Sequence, residues 1–62
     1  MLDIPGKTAA RMAKEAARFL VTRGLDTHHY KDYSTYAAYT DDGITVEVCG
    51  LGYHPRSYIV KG

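Results

Sequence analysis

The sequence predicts an α+β fold: one N-terminal helix packed on a three-stranded antiparallel sheet, in the order helix, strand, strand, strand. Three observations carry this. Apolar residues recur at the helical period from about residue 8 to 23, and Gly24 ends the pattern. Ile44, Val46 and Val48 alternate with Thr45, Glu47 and Cys49, the period of a half-buried strand. Asp41-Asp42-Gly43 lies between two β-prone runs, which is a hairpin signal.

Each element has its own grounds. Residues 1–7 read as a short lead-in, because Pro5 and Gly6 discourage helix before them and Thr8 is a suitable N-cap. On a 100° wheel Ala9, Met12, Ala13, Ala16, Phe19 and Leu20 share one face, which Ala10, Ala17 and Val21 widen. Alanine also has the highest intrinsic helix propensity. Gly24 suits a left-handed stop with Leu25 packing back, and Arg23 in the last turn complements the negative end of the dipole. Residues 26–34 read as a polar loop that becomes a strand near its end. The strands follow at about 35–41, 44–49 and 56–61, with a turn or short loop over Gly50–Pro55. Connections this short make neighbouring strands antiparallel.

The chain of 62 residues is expected to form one domain without linker or repeat. A domain of this size buries only about 60% of its unfolded surface and commonly needs a staple. Cys49 is the single cysteine, so no internal disulfide can supply one, and oligomerisation is the staple that remains available. Hydrophobic content of 45% with 24% charged residues argues for a folded chain rather than disorder. A net charge of +1 gives no global drive toward nucleic acid or anionic membrane. No stretch approaches the ~20 apolar residues of a membrane span, and no basic stretch followed by an apolar run opens the chain. A soluble, cytoplasmic protein is therefore expected.

Tyr30, Tyr33, Tyr36 and Tyr39 recur at every third position, and the chain has six Tyr, one Phe and no Trp. A period of three matches neither strand nor helix, so these rings cannot all face one core. Tyrosine combines rigid apolar area with a hydroxyl and is enriched at protein interfaces. With the flanking His28 and His29, the four tyrosines are the expected partner-binding residues. The alternative is that half of them complete a core that lacks Trp. Which ones reach the open sheet face depends on hairpin register, since a one-residue slip exchanges the faces.

Lys7, Arg11, Lys14 and Arg18 are spaced 4, 3 and 4 apart and align along one helix face. This secondary charged patch suits phosphates or an acidic protein surface, against the bland reading of a solvated face. The acids Asp26, Asp32, Asp41, Asp42 and Glu47 follow the helix, so a dipolar molecule is expected.

Metal and catalytic readings are weaker. Cys49, His54, His28 and His29 include potential ligands, but zinc sites use paired arms, and adjacent strand residues face opposite ways. A Cys49–His nucleophile pair would need an orienting group and an oxyanion hole, and no such motif is present. Gly50-Leu51-Gly52 lacks the Lys-Ser/Thr and following helix of a phosphate loop. Neither enzyme activity, cofactor nor metal is expected.

The expected function is a small non-enzymatic module that occupies a surface of a larger protein or nucleic-acid-handling complex. In size and composition the chain is like small phage-encoded inhibitors, including anti-CRISPR proteins. Direct nucleic-acid binding, with the stripe on phosphates and tyrosines stacking on bases, is the alternative. A third reading is self-association through an open sheet face or an edge strand at Ile59 and Val60, giving a homodimer.

Overall fold

The structure, a computed structural model, describes residues 1–61. Strand β1 (Leu2–Asp3) leads into helix α1 (Gly6–Arg23). Strands β2 (Thr27–Tyr30), β3 (Tyr33–Thr40), β4 (Gly43–Gly50), β5 (Tyr53–His54) and β6 (Arg56–Val60) follow. The main sheet is antiparallel in the order β2-β3-β4-β6, and α1 covers one of its faces. The α+β class is therefore as expected, with four sheet strands instead of three.

The helix begins at Gly6, two residues before the expected Thr8 start, with Pro5 as its N-cap. Helix N-termini have orphan N–H groups, and proline has none to leave unsatisfied. Ile4 immediately before the cap is 1% exposed and joins the same core as Ala9 on the first turns. That pairing acts as a hydrophobic staple and fixes where the chain enters the helix. The Arg56 guanidinium donates to the Ile4 carbonyl at 3.1 Å, tying the lead-in to β6. At the other end Gly24 has φ 66, as expected, and its N–H donates to the Leu20 carbonyl at 3.0 Å.

The core consists of Ala9, Met12, Ala13, Ala16 and Ala17 of α1 against Ala37, Ile44, Val46 and Val48. Small alanines let the helix settle close to the sheet. Val46 and Val48 are fully buried, and each contributes about 1.5–3 kcal/mol by leaving water. Leu20, Tyr33, Tyr53, Tyr58 and Val60 pack around this centre. The helix wheel placed Val21 on the widened apolar face, but it is 62% exposed. At 100° per residue Val21 falls beside Lys14, at the border of the buried face, while Leu20 in the same turn packs on the core.

The expected loop over 26–34 contains β2 and the start of β3. The Lys31-Asp32 turn joins the strands, with Lys31 at φ 53. β2 has no hydrophobic alternation because it is an edge strand exposed at three of its four residues. It is held by pairing to β3 and by the Ala37 N–H, which donates to the Asp26 carbonyl at 2.8 Å. Thr35, buried opposite His28, donates its hydroxyl to the His28 carbonyl at 3.3 Å. The lead-in is also more ordered than expected: β1 pairs in parallel with β5, inside the Gly50–Pro55 loop. Strand ends shift from the expected ones by one or two residues, and Lys61 lies beyond β6.

Candidate functional site

The hairpin register decides which side chains share a surface. Thr40 pairs with Gly43 across the two-residue turn Asp41-Asp42, which sets Tyr39 opposite Ile44 and Tyr36 opposite Glu47. Ile44 is a core residue, so Tyr33, Thr35, Ala37 and Tyr39 lie on the helix side of β3. Ser34, Tyr36, Ala38 and Thr40 lie on the open side.

The open face is laid out in rows across the strands. Thr27, Tyr36, Glu47 and Ser57 form one row. His29, Ser34 and Cys49 form a second, and Ala38, Thr45 and Ile59 a third. Tyr36 is 55% exposed on an inner strand, and Ile59 is 54% exposed near the edge. Hydroxyls surround them, and Thr40 Oγ1 and Thr45 Oγ1 lie 3.1 Å apart. Glu47 is the only formally charged side chain in the three rows.

The four tyrosines do not form one surface. Tyr30 and Tyr33 face each other across the β2–β3 hairpin on the helix side. Tyr33 packs on Tyr53 with ring centroids 5.2 Å apart, and both rings close over Gly50. Tyr30 lies beside Arg11, Met12 and Glu15, with Lys31 Nζ 5.3 Å from its ring centre. Tyr39 is exposed at the helix-side end of the sheet. Tyr36 alone reaches the open face. A spacing of three changes the face at each step along one strand, which is why Tyr36 separates from Tyr33 and Tyr39.

The two histidines diverge for the same reason. His29 is exposed on the open face. His28 turns to the helix, with its ring edge-on to Phe19 at 4.8 Å and Nε2 3.9 Å from Glu15 Oε2. Lys7, Arg11, Lys14 and Arg18 are all exposed along α1. Glu15, the sole acid of the helix, leans toward His28, and none of the four cations has a carboxylate within 4 Å among the described residues. The stripe runs over twelve helical residues, with its ends about 16 Å apart. It lies on the opposite side of the molecule from Tyr36, so that stripe and that ring cannot meet one ligand on a common face.

Cys49 donates its thiol to Glu47 Oε1 at 3.5 Å. Burial raises its pKa above the ordinary thiol value, and the hydrogen bond and charge of Glu47 raise it further. An activated nucleophile needs the opposite shift. Among the described residues no group of three or more His, Cys, Asp or Glu side chains is placed to hold a metal ion. No helix among them is long and apolar enough to cross a membrane.

Sequence reasoning anticipated Thr45, Glu47 and Cys49 on the open face but missed Ala38 and Ile59. The alternation of Ile59 with Tyr58 and Val60 was the available signal. No protein-family model, curated protein or solved structure matches this chain.

Proposed function

We propose that this protein is a non-enzymatic binding module whose uncovered sheet face docks on a larger protein and occludes part of its surface. The observation that carries this is the exposed Tyr36 ring at the middle of a four-stranded face that the helix leaves bare. Tyrosine at the centre of a weakly charged patch has the character of an interface anchor, surrounded by residues that complete the fit and exclude water. Ile59 and Ala38 supply apolar area beside it. Thr27, Thr45 and Ser57 supply hydrogen-bonding groups that stay hydrated until a partner replaces the water. Blocking a protein or a nucleic-acid-handling complex is the action such a surface supports, and in size and composition the chain is like small phage-encoded inhibitors.

The test is affinity capture from a lysate of the source organism or its host, with and without nuclease, read by mass spectrometry. Wild type is run beside Tyr36→Ala. A defined protein that survives nuclease and is lost with Tyr36→Ala is the expected result. Undiminished capture by a folded Tyr36→Ala variant would remove the sheet-face reading.

A further inference from the structure

A second surface lies on the helix side, away from the sheet face. Between the later turns of α1 and the paired ends of β4 and β6 is an open groove of about 280 Å³. Ala17, Val21, Ile44 and Val60 line it, with Lys14 and Arg18 among the residues that bound it. The lining is almost wholly apolar and includes no carboxylate. Val21 is 62% exposed, so this is apolar area that the fold leaves in water.

Two properties narrow what can cover it. Sites for small organic ligands usually enclose roughly 300–1,000 Å³ and bury most of the ligand. This groove has a volume at the bottom of that range but is open to solvent, so it would leave much of a small ligand exposed and suits an apolar side chain projecting from a larger body. Its cations also continue beyond the groove: Lys14 and Arg18 are half of the aligned stripe that begins with Lys7 and Arg11. A nucleic-acid backbone would satisfy the cations but would offer no apolar side chain to Val21 and Val60. A protein segment with acids beside an apolar residue satisfies both.

We propose that this groove receives an acidic amphipathic helix from a partner protein. An apolar side chain of that helix enters beside Val21, Ile44 and Val60. Carboxylates on its flanking turns meet Lys14 and Arg18, and then Arg11 and Lys7. The stripe is about 16 Å long, so a partner helix of roughly three turns covers it. Carboxylates spaced three and four apart on that helix match the 4, 3, 4 spacing of the cations. This is helix-in-groove recognition: the anchor governs how long the complex lasts, and the rim charges govern the association rate and its salt dependence. The proposal does not depend on the Tyr36 surface, which faces the other way.

The experiment is selection of a random peptide library, about 16 residues long to allow four helical turns, on the intact protein. Enriched peptides are then measured by fluorescence anisotropy against wild type, Val21→Glu, Arg18→Glu and Tyr36→Ala. Val21 and Arg18 are exposed, so both substitutions are expected to fold, which circular dichroism checks. The expected peptides carry an excess of Asp and Glu around an apolar residue. They should bind Val21→Glu and Arg18→Glu about tenfold more weakly and Tyr36→Ala unchanged. Absence of enrichment, enrichment without acidic bias, or binding indifferent to Val21→Glu would overturn the proposal. Tighter binding of a single-stranded oligonucleotide that is unaffected by Val21→Glu would assign the stripe to nucleic acid instead.

Discussion

Replacing Gly43 by alanine tests the register on which both surfaces depend. Gly43 opens β4 at φ 130, a conformation L-residues rarely adopt. Holding a non-glycine residue there costs about 1–3 kcal/mol. The added Cβ would also lie 2.8 Å from the Val60 carbonyl oxygen. Carbon–oxygen contacts in sheets start near 3.3 Å, so β6 must retreat by about 0.5 Å. That retreat loosens the pairing of Ile44 with Val60. The combined cost is about 2–4 kcal/mol, set against a total stability of about 3–9 kcal/mol for a chain this long. Gly24→Ala is the control. Gly24 also has positive φ, 66, but a Cβ there meets nothing within 4 Å. It should cost only the left-handed penalty of about 1–2 kcal/mol. Alanine stabilises by restricting the unfolded chain equally at both sites, so the difference between the variants is free of that effect. Urea unfolding followed by circular dichroism measures it. With a slope of about 1 kcal/mol/M, Gly43→Ala should unfold roughly 1–2 M earlier than Gly24→Ala. Equal midpoints would refute the close β4–β6 approach, and with it the placement of Val60 in the groove.

Val46→Ala should cost about 2–3 kcal/mol, from about 0.8 kcal/mol for each lost methyl plus a cavity term, read from the same urea midpoints. The Tyr33 phenol has its pKa raised, chiefly by the neighbouring Tyr53 side chain, then by burial and by the charge of Asp32. A raised folded pKa means stability fully present below the ordinary value of 10.0 and lost as pH rises through the folded value. Wild type should therefore lose more stability than Tyr33→Phe between pH 9 and strongly alkaline solution, measured by thermal melts at about one-unit steps. Cys49, raised above 9.0 by burial and Glu47, should react with iodoacetamide at neutral pH more slowly than free cysteine. Glu47→Gln should quicken that reaction, and an unchanged rate would break the link between the two side chains.

The sequence alone specified the helix, its stop at Gly24, the central hairpin and the α+β class. These depend on local signals: a 3.6-residue apolar period, a glycine able to adopt positive φ, and alternation around a turn. It also determined that four cations align on the helix, because helical geometry leaves no other arrangement. The rest follows from contacts between elements. β2 is an edge strand with polar residues on both faces, so its order comes from pairing to β3 and leaves no periodic trace in the sequence. Pro5 became the cap because Ile4 found a place in the core and Arg56, far along the chain, holds its carbonyl. The two-residue turn at Asp41-Asp42 alone sent Tyr36 to the open face and Tyr33 to Tyr53. One more residue in that turn would have exchanged the faces, since strand side chains alternate with a period of two. The groove at Val21 was invisible for a related reason. A helix wheel places Val21 at the border of the apolar face, while only the packing of Ile44 and Val60 beside it shows that the border stays uncovered.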